Sequence, residues 1–129
     1  MEIKTHESID RALCGEPIEV KEGSSAVRLE CAPCMAADAS GLVHGGFIFG
    51  LADYAAMLSV NHPNVVLGAA ETRFLKPSRV GDVLVARAKD QTPQERKHLV
   101  QVEVSCGEDV VFSGTFTCFV TKEHVLAGS

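Results

Sequence analysis

The sequence predicts an α+β domain in which one long helix is wrapped by a curved antiparallel sheet. Three observations carry that expectation. The run Gly45–Val60, GGFIFGLADYAAMLSV, is apolar on nearly every face, the pattern of a helix enclosed by other structure. After Pro63 the chain changes to strand-like alternation and keeps it as far as Thr121. A further alternating segment, Ala26–Cys31, precedes the helix. One sheet curling around one helix buries that helix on all sides, as its composition requires.

Each element has its own signal. Residues 1–15 are read as a short N-terminal helix running from Thr5 to Leu13, with Thr5 or Ser8 as cap. In Ala26–Cys31 the side chains of Val27, Leu29 and Cys31 share one face of a half-buried strand. Cys34 to Val43 is a loop of small residues feeding the central helix, placed at 44–61. Proline disfavours helical conformation in the residue before it, so that helix ends near Asn61-His62-Pro63. Residues 64–121 are consecutive strands. Val65–Leu75 is followed by a turn over Pro77–Asp82, then by Val83–Lys89. Leu99–Cys106 turns Val100, Val102, Val104 and Cys106 one way and Gln101, Glu103 and Ser105 the other. Gly107-Glu108-Asp109 marks a hairpin leading into Val110–Thr121. No repeat or linker is visible, and 1–129 reads as a single domain.

At 129 residues and 46% hydrophobic content, the chain can build a real core but is short for an enzyme with private walls, so sites shared between subunits are expected. A net charge of −5 argues against a nucleic-acid partner. Arg73, Lys76 and Arg79 nevertheless form a local basic cluster suited to an anionic ligand. The opening MEIKTHESID lacks the basic-then-apolar order of a signal peptide. His44, Asp53 and the glycines within Leu42–Val60 argue for a buried helix over a membrane span, so a cytoplasmic location without a membrane partner is expected. Five cysteines in such a chain are read as reduced thiols. Cys31-Ala-Pro-Cys34 has redox-motif spacing, but no second pair and no helix starting at Cys34 to activate a thiol. No metal site is expected.

Asp53 is the one charged residue between Gly45 and Val60. Burying an unpaired carboxylate is costly or forces its pKa upward. His44 precedes the paired glycines that open the helix. From 44 to 53 is nine residues, roughly 13 Å along a helix and about 180° around it. The two side chains cannot meet within one subunit, so a common reaction centre needs two antiparallel copies of the helix and a two-fold dimer. The Gly45 and Gly46 amides would then face a developing oxyanion, and Asp53 of the partner would attack a carbonyl or activate water. Acyl transfer to water is the matching reaction; no G-x-S-x-G elbow is present. Simpler readings exist for each piece: turn glycines, a His44 that holds the turn, and an Asp53 paired with Arg73 or a backbone amide.

The H-G-G start with Asp nine residues on, followed by Phe74-Leu75-Lys76-Pro77 and Gly81-Asp82, resembles the hotdog-fold acyl-CoA thioesterases of the PaaI-like type. The resemblance runs from about Asp38 to Val120. It implies a curved sheet around the helix, homodimers joined through the sheet edge, and further pairing into tetramers. It also implies Gly45 as oxyanion donor, His44 orienting the thioester carbonyl, and Asp53 as nucleophile or general base. Gly46, Asp38, Gly68, Glu71, Arg73, Lys76 and Arg79 complete the candidate site as substrate-binding residues. Asp38 stands where many relatives have Asn, and Leu67-Gly68-Ala69 lacks the hydroxyl that several carry; Thr72 is the nearest. Glu71 and Arg73 alternate to one face, where they pair with each other or line the pocket. Lys76 and Arg79 are placed to meet nucleotide phosphates or an acidic carrier protein. The expected substrate is an acyl-CoA or acyl-carrier-protein thioester, with no cofactor because coenzyme A is part of the substrate. The alternatives are a non-catalytic acyl-CoA-binding regulator on the same fold and a hotdog dehydratase, whose Pro/Gly-rich loop Asp38–Val43 does not resemble.

Overall fold

The computed structural model describes residues 1–127. Its elements are α1 (Arg11–Cys14), β1 (Glu16–Lys21), β2 (Ser24–Glu30), α2 (Gly45–Val60), β3 (Val65–Phe74), β4 (Val83–Asp90), β5 (Lys97–Cys106) and β6 (Asp109–Val120). All neighbouring strands pair antiparallel in the order β1-β2-β4-β5-β6-β3, and α2 lies across one face of the sheet, chiefly on β4 and β2. This is the predicted hotdog arrangement.

Alternation explains the strands. In β5, His98, Val100, Val102 and Val104 are buried while Lys97, Leu99, Gln101 and Glu103 are exposed. In β4, Leu84, Ala86, Ala88 and Asp90 are buried. Leu51, Met57 and Leu58 of α2 form the core with Val27, Leu29, Leu84, Val100, Phe112 and Phe116. Each large side chain of this set contributes about 1.5–3 kcal/mol on leaving water. The alanines Ala52, Ala55 and Ala56 are also fully enclosed. Ala55 lets the sheet approach closely enough for the Ser25 hydroxyl to donate to its carbonyl at 2.6 Å.

The stop of α2 is sharper than the proline rule alone implies. Asn61 adopts the left-handed conformation (φ 49°, ψ 53°) and its N–H caps the Met57 carbonyl at 2.8 Å, a role that asparagine tolerates. The Asn61 side chain also accepts from the Lys4 N–H and donates to the Glu2 carbonyl, both at 2.8 Å. The N-terminal segment is therefore tied across the end of the helix.

That tie corrects the first expected element. The opening helix is a single turn, Arg11–Cys14, capped by the Asp10 carboxylate on the Ala12 N–H; it does not begin at Thr5. Residues before it run as a strap, with Ile3 and Ile9 packed on the core and His6 at φ 54°, a conformation that no helix contains. Gly15 ends the turn, and β1 follows, an edge strand absent from the sequence reading. Pro17 in β1 is compatible with an edge because its missing N–H costs no ladder bond there. The other free edge is β3, which carries a bulge at Gly68 between Leu67 and Ala69. Among the described residues, no helix is long and apolar enough to cross a membrane.

Candidate functional site

The turn before α2 is held from two sides. The Val43 N–H donates to the Ser78 carbonyl and the His44 N–H to the Met35 carbonyl, each at 2.9 Å. His44 is the N-cap residue in extended conformation, its side chain takes no part in capping, and its ring is exposed. Gly45 and Gly46 start the helix, where backbone N–H groups lack a carbonyl one turn back. Both glycines have a steric reason. A Cβ on Gly45 would lie 3.2 Å from the Phe74 ring, and one on Gly46 would lie 3.0 Å from the His44 ring. A cavity of about 190 Å³ adjoins this turn, lined by Val43, Gly45, Ile48, Phe74, Pro77 and Ser78 among others.

Asp53 lies half-buried midway along α2. Its Oδ1 is shut off from water and has no hydrogen-bond partner among the described residues. Burial raises the carboxyl from its ordinary 3.8 to about 6 because the charged form loses hydration without compensation. Neither Arg73 nor His44 bonds to it among the described residues, so the reading of Asp53 as one half of an Arg73 pair does not hold within the chain.

The remaining predicted residues fall in several places. Asp38 is exposed and accepts from the Ser40 hydroxyl at 2.5 Å and the Ser40 N–H at 2.9 Å, bonds that lower its pKa. Lys76 lines the cavity beside Gly45, with its ammonium 3.0 Å from the Asp109 carboxylate. Arg79 borders a second hollow of about 230 Å³ with Ser40, Leu42 and Pro77. Gly68 is required by Phe119, whose ring would stand 2.3 Å from an added Cβ.

Glu71 and Arg73 lie on the sheet face away from α2. The register sets Arg73 beside Ser113, Glu103 and Arg87, and Glu71 beside Thr115 and Gln101. These residues line a depression of about 770 Å³, larger than the cavity beside Gly45. They form no ion pair with each other among the described residues. The depression contains neither Asp53 nor the helix start, so size is a poor guide here and chemistry points to α2. Thr72 and Phe74 alternate onto the opposite face of β3, where Phe74 meets Phe112 edge-on at 5.0 Å.

Two features escaped the sequence reading. Phe74 is the wall facing Gly45; its place on the inner face follows from β3 register, which spacing alone did not supply. His98 and Asp90 form a buried pair, Nδ1 to Oδ2 at 2.6 Å. Their positions on the buried faces of β5 and β4 were the available signal. The five cysteines are all free. Cys31 is buried, and burial with the nearby Asp82 pushes its thiol up to about 11, the reverse of an activated redox cysteine. No cluster of potential metal ligands occurs among the described residues.

A helix enclosed by an antiparallel sheet, opened by His-Gly-Gly and carrying one half-buried acid, defines a protein of the hotdog-fold class. The family described as Thioesterase superfamily matches residues 40–113, and the chain belongs to it. The protein PH1136 of Pyrococcus horikoshii superposes with a TM-score of 0.96 at 54% identity, covering 98% of this chain and 97% of that one. A hypothetical thioesterase from Streptococcus pneumoniae TIGR4, crystallised with coenzyme A, gives 0.75 at 25% identity over 82% and 84% of the two chains. A methylthioribose-1-phosphate isomerase of Aquifex aeolicus is 51% identical over 116 residues, which is 90% of this chain and 25% of that protein. The transcription factor FapR of Caldanaerobacter subterraneus subsp. tengcongensis is 31% identical over 85 residues, 66% of this chain and 42% of that protein. The chain thus spans a quarter of one curated relative and under half of the other.

Proposed function

We propose that this chain hydrolyses acyl-CoA or acyl-carrier-protein thioesters at two symmetric sites of a homodimer, joined through the free β3 edges. The observation that carries the reading is Asp53, a carboxylate with a buried, unpartnered oxygen on a helix that opens with two free glycine amides. The family supplies the chemical class, and the coenzyme A bound to the Streptococcus relative supports the carrier. Coenzyme A enters as part of the substrate, and no separate cofactor is invoked.

In this reading the thioester carbonyl lies against the Gly45 N–H of one protomer, oriented by His44. Asp53 of the partner subunit removes a proton from water as the water oxygen adds to the carbonyl carbon. The amide and the helix dipole stabilise the oxyanion. The tetrahedral adduct collapses, the C–S bond breaks, and the proton held by Asp53 passes to the departing thiolate, giving a carboxylic acid and free thiol. Lys76, which lines the Gly45 cavity, and Arg79, which borders the second hollow, are assigned to the phosphates. The outward-facing Glu71 and Arg73 are assigned to the far end of the carrier or to its protein; Asp38 acts through the shape of its turn and Gly68 through the bulge of β3.

Thiol release from a panel of short, long and aromatic acyl-CoAs tests the proposal, with kcat/KM followed against pH. Asp53 must be ionised to act as base, so kcat/KM rises with pH through about 6, the value burial sets for its carboxyl. No turnover across the panel, or a limb set near 4, contradicts it. The regulator reading draws on the FapR similarity and on the absence of a hydroxyl at Gly68-Ala69; it predicts thioester binding without hydrolysis.

A further inference from the structure

Nine of the ten glycines among the described residues have a visible reason to be glycine. Gly15, Gly23, Gly41, Gly81 and Gly107 have positive φ angles, and a Cβ on Gly45, Gly46, Gly68 or Gly114 would meet another group within 3.2 Å. Gly50 has neither: its φ is ordinary, and nothing lies within 4 Å of where its Cβ would be. It sits inside α2, where glycine weakens a helix relative to alanine. The chain thus bears a cost at Gly50 with no internal return, and the space above it belongs to something outside the chain.

The position identifies the occupant. Gly50 precedes Asp53 by three residues and follows Gly46 by four, so the three share one face of α2. That face is incompletely covered: Gly46 is exposed, Gly50 and Asp53 half-buried. Beside it Phe49 packs against Phe116, ring centres 5.4 Å apart, giving an apolar flank. Asp53 shares this open face and, among the described residues, makes no side-chain hydrogen bond or ion pair.

We infer that Gly50 is a specificity-determining residue that leaves room for the acyl chain of the thioester. The inference rests on the hydrolase reading above, which places the reacting carbon at Asp53. Three residues separate Asp53 from Gly50, roughly 4.5 Å along the helix axis or the reach of about four methylene groups. Acyl carbons beyond about the fourth therefore pass over Gly50, and a side chain there blocks them while sparing shorter groups.

The test is kcat/KM for wild type, Gly50→Ala and Gly50→Leu across saturated acyl-CoAs from acetyl to dodecanoyl, with melting temperature and light scattering in parallel. Gly50→Ala is expected to melt higher than wild type. Gly50→Leu is expected to lose about tenfold or more on the long acyl groups, with a smaller loss on acetyl and butyryl. A chain-length profile parallel to wild type overturns the inference. So does dissociation of Gly50→Leu into monomers, which would assign the space to a partner helix. If wild type hydrolyses none of the panel, the hydrolase reading fails separately. Calorimetric binding of the same acyl-CoAs then decides: selective loss of the long ones in Gly50→Leu supports the inference, and equal affinities, or no binding by wild type, overturn it.

Discussion

Asp53→Asn is expected to lower kcat/KM for thioester hydrolysis by about a thousandfold, the scale of removing a positioned base. Affinity for a non-hydrolysable acyl-CoA thioether should stay close to that of wild type, because the amide keeps the size of the carboxylate. The same change should stabilise the protein at neutral pH. Burial raises the folded-state pKa of Asp53 from 3.8 to about 6, so between those values the folded chain holds more protons than the unfolded one. Stability contributed by this group is therefore full below about pH 4, falls as pH rises towards 6, and stays lowered above that. The deficit that Asn removes is about 1–3 kcal/mol, readable as a higher urea midpoint at pH 7.5 that converges with wild type near pH 4. A regulator would show the stability gain without any hydrolysis to lose. An unstabilised variant would place Asp53 in contact with a charge or donor that the chain does not show.

Gly15→Ala is the substitution with the largest expected structural effect. Gly15 has φ 113°, and a Cβ there would sit 2.6 Å from Val27 Cγ1, 2.9 Å from Leu51 Cδ1 and 3.2 Å from the Arg28 carbonyl oxygen. Val27 and Leu51 are fully buried and cannot swing into solvent. An unfavourable backbone angle and an overpacked core together cost about 2–5 kcal/mol. A fall in the denaturation midpoint of that size checks it. A midpoint within about 0.5 kcal/mol of wild type would mean that β1 and α1 move aside freely.

How much could be read in advance follows from how local each signal was. The enclosed helix was legible because Gly45–Val60 has a single charge among apolar residues. Strands β3 to β6 were legible because alternation fixes the face of each side chain with no knowledge of the partner strand. The N-terminal third was not. Ile3 and Ile9 are apolar because a strap lies over the core, and what directs that strap is Asn61, more than fifty residues away. The separation of Glu71 and Arg73 from Asp53 needed the β3 register and its bulge at Gly68. The His98–Asp90 pair lay half in view: both residues occupy buried parity positions, but their pairing depends on the β4–β5 turn. At the candidate site, residue types and spacing pointed to Asp53 and Gly45, whereas Phe74 and Gly50 have meaning only through the space around them.

The central claim is that one reaction centre combines His44 and Gly45 of one protomer with Asp53 of the other. Mixing tests it directly. His44→Ala and Asp53→Asn homodimers should each be nearly inactive. After unfolding together and refolding at equal concentration, about half of the dimers are mixed, and each of these holds one intact site out of two. Hydrolysis should then recover to about a quarter of the wild-type rate, with the mixed dimer visible by native mass spectrometry. Mixed dimers that form and remain as inactive as their parents would contradict a site shared across the interface.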